Sequence, residues 1–283
     1  NENACHNCYK FKEVQNSISI RREILKRAKF NSPINIIIVG GGYTGLEAAT
    51  NAKLFMEIKN ISGEITIVEK ADTILKMTPD WLIKKVDGII SDLGIQVEVG
   101  KTISRIEEQN IYLSSGQKYQ NAICIWTVGT KTAPYIQNMD VATNRGRIEV
   151  NQNLTIKKVN RTGVFAIGDA ASFLNPDSKG PLRMAIMFAI KQGEVAGTNI
   201  VNMISGKKLI PYEPKDLGYL LPLAYGKAPG KVLGLKIGSR LGYLLHYYMS
   251  IYRAPRSKKY KIFRELIKNR FSNKSEVKIN QED

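Results

Sequence analysis

The residues with the clearest chemical signature form a glycine-rich segment, Gly40-Gly41-Gly42-Tyr43-Thr44-Gly45, with the spacing G-x-G-x-x-G. Gly40 permits a tight turn after a strand, Gly42 lets a pyrophosphate approach the backbone, and Gly45 lets the following helix pack closely. The phosphates then meet free N–H groups at the start of that helix. The segment therefore predicts a turn that binds a dinucleotide.

Nearby acidic residues refine this prediction. Glu69 follows Gly45 by 24 residues and ends a second apolar segment, where a carboxylate can bind ribose hydroxyls. A carboxylate at this position repels a 2′-phosphate, so the pattern favours NADH over NADPH, and Lys70 beside it weakens the preference. Glu47, one turn into the helix, is either an acid of the site or an ordinary helix residue.

The apolar pattern around the turn predicts the elements that position it. Residues 34–39 and 64–69 are short apolar runs typical of buried strands, and residues 46–58 between them have a helical pattern. Residues 34–69 thus predict a βαβ unit. The remaining predicted elements are helices over 17–30, 81–93 and 182–205 and strands over 95–99, 102–106, 110–113, 122–128 and 163–167. This alternation predicts a doubly wound α/β domain.

Composition and cysteine content narrow the class of protein. The 283 residues fit one large domain or two small ones, and 43% hydrophobic with 24% charged residues excludes disorder and collagen-like repeats. Three cysteines do not make a disulfide scaffold and indicate a reducing compartment. Cys5 and Cys8, with His6 between them, supply half of a metal site at most, so no metal site is predicted. We expect neither a spanning helix nor a signal peptide.

The positive charge is concentrated near the C-terminal end. The net charge is +17, and residues 227–274 contribute +12 of it, with 13 Lys or Arg against one acid, Glu265. The aromatic run 241–252 precedes the densest basic cluster, an order typical of a helix at a membrane interface, so we expect an anionic lipid surface as partner. A solvated basic tail is the alternative. A nucleic-acid site would need aromatics spaced along a basic groove or a recognisable module, and neither is present, so no nucleic acid is expected.

Three segments together resemble the type II NADH dehydrogenases, the single-subunit flavoprotein NADH:quinone oxidoreductases of the pyridine-nucleotide-disulfide-oxidoreductase-like group. They are residues 38–49 (IVGGGYTGLEAA), 125–129 (IWTVG) and 162–170 (TGVFAIGDA). In that family the aspartate matching Asp169 hydrogen-bonds the ribityl chain of FAD, and the helix after it points its N-terminus toward the flavin. The resemblance implies hydride transfer from NADH to FAD and electron transfer to a membrane quinone, without proton pumping.

The resemblance also assigns residues to the site. It places the cofactors, FAD and NADH, on Gly40, Gly42, Gly45, Glu69, Gly129, Gly168 and Asp169. It places Glu47 and Lys191 at catalytic positions. Glu47 matches a glutamate near the nicotinamide and quinone pockets. Lys191, with Met187, stands where the family usually carries a pair of glutamines near the flavin ring, and Leu217 stands where many relatives have Lys or His.

The implied organisation has four parts: a lead-in over 1–32, a Rossmann-like NADH-binding domain over 33–150, the C-terminal part of an FAD domain over 151–206, and a membrane-associated basic region over 207–283. The family begins with a separate FAD Rossmann motif far upstream, whereas 39 residues precede Gly40. We expect that half to be missing from this sequence or supplied by another polypeptide. The resemblance further implies a peripheral protein on the cytoplasmic face of the cell membrane, and a candidate homodimer.

Two alternatives stay open at this point. A sulfide:quinone reductase is also FAD-bound and membrane-attached, but it needs redox-active cysteines near the flavin, and Cys124 lies inside an apolar strand. A catalytically silent, membrane-associated NADH-binding subunit is favoured by the absent first FAD motif and by Met187 and Lys191.

Overall fold

The computed structural model describes residues 8–30, 32–129, 136, 138–157, 163–176 and 180–271. The described strands, in chain order, are β1 (Tyr9–Lys10), β2 (Ile34–Val39), β3 (Gly63–Glu69), β4 (Gln96–Val99), β5 (Ile103–Glu107), β6 (Asn110–Leu113), β7 (Lys118–Tyr119), β8 (Ala122–Trp126), β9 (Thr143–Asn144), β10 (Arg147–Glu149), β11 (Ala171–Ser172), β12 (Gly218–Leu220), β13 (Gly230–Val232) and β14 (Leu235–Ile237). The described helices are α1 (Val14–Ala28), α2 (Tyr43–Ile58), α3 (Asp80–Asp92), α4 (Ile186–Ile204), α5 (Ser239–Arg253) and α6 (Arg256–Phe271).

The chain divides into two compact units, one made of residues 1–128 with 218–283 and the other of residues 129–217. The predicted domains 33–150, 151–206 and 207–283 place their boundaries elsewhere along the chain, and they stay predictions. Cys5 and His6, Thr162, and the end of the basic region beyond 271 lie outside the described residues.

The larger unit is built on a five-stranded parallel sheet with the order β1-β8-β2-β3-β4. The central strand, β2, has four isoleucines that are fully buried, as expected for a strand covered on both faces. Because β-branched side chains pack well on a pleated surface, this run forms a strand and not a helix. The predicted α/β class with a parallel sheet is confirmed.

Different layers cover the two faces of this sheet. Ile36 and Ile38 of β2 pack with buried residues of α1, α2 and α3. Ile37 and Val39, which point to the other face, pack with the antiparallel sheet β5-β6-β7. The strands predicted over 102–106 and 110–113 are present as β5 and β6, and their antiparallel sheet provides the second covering layer.

The lead-in is part of the larger unit. Strand β1 pairs with β8 at the edge of the sheet, and Ile20 and Ile24 of α1 are buried in the core. Helix α1 begins earlier than the predicted residue 17, because the Glu13 side chain accepts from a first-turn N–H while Asn16 Oδ1 accepts from the Glu13 N–H at 2.9 Å.

The C-terminal elements of the larger unit are the antiparallel meander β12-β13-β14 and helices α5 and α6. Leu221 and Leu223 join the main core. The buried Thr50 hydroxyl on α2 accepts a hydrogen bond from the Ala224 N–H at 3.1 Å and donates to Leu46 O. A buried hydrogen bond thus connects the segment around Ala224 to helix α2, which follows the glycine-rich turn.

The smaller unit has a core around Phe173, which is fully buried and packs edge-on against Tyr212 with ring centroids 5.0 Å apart. Strand β10 pairs with β9 and β11, and α4 contributes Phe188 and Ala196 to the core.

Two predicted elements of this unit are wrong in detail. Residues 163–167 form a single isolated bridge, between Phe165 and Thr155, because Gly163 and Gly168 take φ of +88° and +62° at its ends and interrupt the extended backbone. The helix expected from residue 182 begins at Ile186, because the Leu182 amide donates to Phe173 O and holds that residue extended.

Candidate functional site

The glycine-rich turn leaves the carboxyl end of β2 between the neighbouring strands β3 and β8. Gly40 has a φ of +111° and donates its N–H to Val68 O at 2.8 Å. A Cβ on Gly45 would lie 1.8 Å from the Gly40 carbonyl oxygen, so only glycine lets α2 approach the turn this closely. The two glycines thus adopt the conformations that the spacing predicts.

Gly42 differs from its neighbours because its backbone faces open space. A Cβ built on Gly42 meets nothing within 4 Å in the described part of the chain, whereas one on Gly41 would lie 2.9 Å from Ile74 Cγ2. Gly42 is the N-cap of α2, and no side chain caps the helix there. This opening, with amides at the positive end of a helix, fits the pyrophosphate of a dinucleotide.

Glu69 lies at the carboxyl end of β3, beside the turn. Its Oε2 accepts from the Gly41 N–H and its Oε1 from the Ala71 N–H, both at 2.7 Å. A carboxylate has roughly four acceptor sites, so about two remain for ribose hydroxyls. The structure brings Glu69 together with the glycine turn, and its contact to ribose stays a prediction.

Gly129 lies three residues beyond the end of β8 in the chain. It is exposed, has a φ of +93°, and no described atom lies within 4 Å of a Cβ built on it. Just before it, Thr127 Oγ1 donates to Val39 O at 2.7 Å and lies 2.9 Å from the position of a Cβ on Gly40. Thr127 supports the turn from β8, a role that no sequence pattern indicated.

Glu47 lines a cavity of about 1400 Å³ inside the larger unit. Its walls are α2, the segment 222–226 and α5. Burial raises the pKa of Glu47 to about 7, because the charged form loses hydration. At neutral pH this carboxyl can therefore both hold and release a proton.

Three other titratable residues of the wall have shifted pKa values that favour their neutral forms near pH 7, and Glu57 and Arg240 also line the cavity. Burial, with Glu57 beside the ring, raises the pKa of Tyr225, and burial raises the pKa of Tyr243. Burial lowers the pKa of His246, which favours the neutral imidazole. These residues were not singled out from the sequence, although Tyr243 and His246 lie in the aromatic run. Such walls suit an apolar ligand with hydrogen-bonding oxygens.

In the smaller unit, Gly168 and Asp169 lie in a 3₁₀ turn over Gly168–Ala170. The Gly168 N–H donates to Gln192 Oε1 on α4 at 2.7 Å, and Gln192 is only 2% exposed. A buried amide thus fixes the turn, which a sequence pattern without contacts could not indicate.

Asp169 is exposed and lies near Arg147 of β10. Burial lowers the pKa of Arg147, and the Asp169 charge opposes that shift. Arg147 Nη1 donates to Leu182 O at 2.9 Å, while its buried Nε has no hydrogen-bond partner among the described residues. An exposed carboxylate beside an unsatisfied guanidinium donor fits a ligand with both hydroxyl and anionic groups, such as FAD.

Lys191 lies on the exposed side of α4 and forms an ion pair with Glu194 Oε2 at 2.7 Å. Met187, one turn earlier, is half-buried against the core of the smaller unit. The catalytic role predicted for Lys191 stays a prediction, and an exposed pair of this kind contributes little to stability. The described residues contain no cluster of three or more metal-ligating side chains.

Helices α5 and α6 expose several large apolar and aromatic side chains next to Lys and Arg. The most exposed are Leu241, Tyr248, Tyr252 and Tyr260. Lys259 lies over the Tyr252 ring at 5.8 Å from its centroid. No helix in the described part of the chain is both long and apolar enough to cross a bilayer.

Known proteins similar to this chain agree with the observed fold. Curated relatives include a demethylphylloquinone reductase of Synechocystis sp., 28% identical over 75% of this chain and 52% of the relative, and a type II NADH:quinone oxidoreductase of Staphylococcus haemolyticus, 25% identical over 68% and 50%. The chain therefore spans about half the length of the curated relatives that it matches.

Among solved structures, NDH2 from Plasmodium falciparum in complex with NADH superposes with a TM-score of 0.75 at 15% identity, covering 94% of this chain and 74% of that one. This likeness shows the fold. The family model described as pyridine nucleotide-disulphide oxidoreductase matches residues 3–193, which include both the glycine turn and the Gly168-Asp169 turn. The chain belongs to the pyridine nucleotide-disulphide oxidoreductase family.

Proposed function

We propose that this protein is a flavin-dependent NADH:quinone oxidoreductase of the type II kind, non-proton-pumping. The observation that carries the proposal is the open backbone at Gly42 beside the Glu69 carboxylate. The similarity to quinone reductases over about half their length supports the same activity.

In this proposal the chain first positions NADH. The pyrophosphate lies over Gly42 at the start of α2, and Glu69 accepts hydrogen bonds from the ribose. The positive end of the helix favours the phosphate charge. A carboxylate at Glu69 disfavours a 2′-phosphate, so NADH is the preferred donor. Gly129, at the end of β8, leaves the adjoining space free of a side chain.

FAD, when bound, supplies the redox chemistry, because it accepts a hydride and can pass electrons on singly or in pairs. The residues that would hold it in this chain are Gly168 and Asp169. The Asp169 carboxylate suits the hydroxyls of the ribityl chain, and Arg147 beside it offers a buried donor. Gln192 keeps this turn in place through its bond to the Gly168 N–H.

The proposed acceptor is a membrane quinone, and the cavity lined by Glu47 and α5 is its proposed route from the C-terminal side. Reducing a quinone to a quinol consumes two protons as well as two electrons. Glu47, with a pKa of about 7, can donate a proton at neutral pH. A catalytic role for Lys191, on the exposed side of α4, is a further part of the proposal.

The basic region over 227–274 is proposed to hold the protein on an anionic lipid surface. Exposed aromatics on α5 and α6 beside lysines support an interfacial contact. A peripheral position on the cytoplasmic face of the cell membrane and a homodimer belong to the same proposal.

The two alternatives are not favoured. For sulfide chemistry, Cys8 and Cys124 pack in the core cluster under β5-β6-β7, and the curated relatives named above reduce quinones. A silent NADH-binding subunit would retain Glu69 and the turn, yet would have no need of a turn at Gly168 that fits a flavin.

The experiment is a steady-state assay of NADH oxidation with added FAD and a short-chain quinone, with NADPH as the comparison donor. We expect quinone-dependent NADH oxidation that is slower with NADPH. Turnover without quinone reduction, or an absence of turnover with both donors, would contradict the proposed activity.

A further inference from the structure

Two of the three cysteines lie side by side: Cys124 is on β8, and Cys8 directly precedes β1. In the parallel register of β1 and β8, Tyr9 is opposite Ile125 and Lys10 is opposite Trp126, so Cys8 is opposite Cys124. The Cys8 Sγ–H donates to Cys124 Sγ at 2.8 Å, and neither residue forms a disulfide in the structure.

The two thiols differ in accessibility. Cys124 is only 2% exposed and belongs to the apolar cluster between the parallel sheet and β5-β6-β7, whereas Cys8 is half-buried against the same cluster. A small oxidant from solvent therefore reacts first with Cys8, and the buried Cys124 supplies the second thiol.

We propose that Cys8 and Cys124 form a reversible disulfide that fastens the N-terminal strand β1 to β8. The oxidant is a peroxide. Hydrogen peroxide converts the Cys8 thiol to a sulfenic acid and releases one water. The Cys124 thiol then attacks that sulfur, the S–S bond forms, and a second water leaves. A dithiol reverses the step by thiol–disulfide exchange.

The backbone already has the spacing that this bond needs. Neighbouring strands lie about 4.8 Å apart, and disulfides join Cα atoms roughly 4.4–6.8 Å apart. Because the two Sγ atoms already touch, the bond can form without moving either strand.

The bond would act on the edge of the sheet. Strand β1 has only two residues and pairs with β8 alone, so its backbone bonds give it little stability by themselves. A disulfide here spans 116 positions of the chain, and closing a long loop lowers the entropy of the unfolded state. Oxidation is therefore expected to raise the melting temperature.

The test is peptide mapping of the whole chain after brief treatment with hydrogen peroxide and alkylation of the remaining thiols. We expect a cross-linked peptide pair containing Cys8 and Cys124, with alkylation lost at these two cysteines relative to the untreated protein, and full recovery on adding dithiothreitol. The melting temperature, measured on the same samples, should rise on oxidation and return on reduction.

Two variants make the test specific. Cys5→Ser should keep the cross-link and the rise in melting temperature. Cys8→Ser changes a half-buried residue, should fold, and should lose both effects. A cross-link between Cys5 and Cys8, stable over-oxidation of Cys8 without a cross-link, or an unchanged thiol count would overturn the proposal.

Discussion

Gly42 and Gly45 are both glycines of the same turn, yet they are needed for different reasons. A Cβ on Gly45 would collide with the Gly40 carbonyl oxygen at 1.8 Å, which is a folding requirement. A Cβ on Gly42 meets nothing within 4 Å among the described residues, so the fold does not require glycine there, and we expect it to serve the ligand. A substitution at Gly42 can therefore test binding without disturbing the fold, whereas one at Gly45 cannot.

Gly42→Ala tests the dinucleotide turn. We expect the variant to fold with a nearly unchanged melting temperature, and to lose NADH affinity about tenfold or more because the methyl group occupies the space of the pyrophosphate. Calorimetric titration with NADH measures the affinity. Gly88→Ala, at an exposed open position on α3, is the matched control and should bind NADH as the parent does; equal affinity in both variants would remove Gly42 from the site.

Glu69→Gln tests the choice of nucleotide. The change removes the negative charge that disfavours a 2′-phosphate and weakens the acceptor of ribose hydroxyls, so NADH affinity should fall roughly tenfold. The ratio of NADH to NADPH affinity should narrow. Glu64→Gln, at the exposed start of β3, should leave the ratio unchanged. A preference that persists in Glu69→Gln would refute the ribose contact.

Glu47→Gln tests the half-buried carboxyl of the cavity. Its pKa is raised from 4.5 to about 7 by burial, so the folded state binds its proton more tightly than the unfolded state does. The stability from protonated Glu47 is therefore present below pH 4.5 and is lost as pH rises through about 7. Relative to the parent, the glutamine variant should gain roughly 1–3 kcal/mol between about pH 4 and pH 8.

Urea unfolding at several pH values measures this difference. Glu108→Gln, at an exposed turn, is the control and should keep the parental pH dependence. If Glu47→Gln also follows the parental curve, the carboxyl is not buried as described, and its proposed role as a proton donor fails with it.

At the residue scale, the sequence predicts the site only where spacing alone determines function. The position of Glu69 beside the glycine turn was predictable, because an acid at the end of the second strand lies at a fixed place in a βαβ unit, and its contact to ribose stays a prediction. Gln192 and Arg147 were missed, because their roles depend on contacts that the local pattern does not contain. Gln192 accepts a hydrogen bond from the Gly168 N–H, 24 positions away in the chain, and Arg147 of β10 lies near Asp169.

At the scale of elements, helix α2 connects the glycine turn to the C-terminal meander through Thr50. Thr50→Val keeps the shape of the side chain but leaves the Ala224 N–H without its acceptor, so we expect a loss of about 1–3 kcal/mol in the free energy of unfolding. Chemical denaturation measures the loss.

Thr198→Val is the matched control for that change. The Thr198 hydroxyl is exposed and donates to Glu194 O within α4, so its removal should cost less than about 0.5 kcal/mol. Equal losses in the free energy of unfolding of the two variants would show that the hydrogen bond from the Ala224 N–H to Thr50 adds no more stability than the exposed one of Thr198.

Elements with uniform apolar runs were predictable, and those set by tertiary contacts were not. Strand β2 has the predicted bounds because its isoleucines suit only a buried strand. The start of α4 was misplaced because the Leu182 amide pairs with Phe173 O, a contact invisible in the local pattern. Strand β1 has only two residues, which are too few to show a strand pattern in the sequence. They form a strand because they pair with β8.

At the scale of the whole molecule, the concentration of charge near the C-terminal end predicts binding to an anionic surface. The double change Lys258→Glu with Lys261→Glu should weaken binding to vesicles containing phosphatidylglycerol by roughly 30-fold or more, since each Lys contributes about 1 kcal/mol. Cosedimentation measures binding, and added salt should reduce it for the parent.

The matched control changes Lys84 and Lys85, two exposed lysines of α3, to glutamate. This variant should bind the vesicles nearly as the parent does. Equal weakening by both pairs would indicate a response to net charge alone. Binding of the parent to neutral phosphatidylcholine vesicles as strong as to anionic ones would contradict the proposed electrostatic contact.

The most direct test of the account is the visible spectrum of the purified protein, saturated with FAD, during an anaerobic titration with NADH. The account predicts that flavin is retained and that its absorption band bleaches with NADH, and that adding quinone restores it. Flavin that is not retained at all, with NADH binding intact, would contradict the account and leave a silent dinucleotide-binding protein.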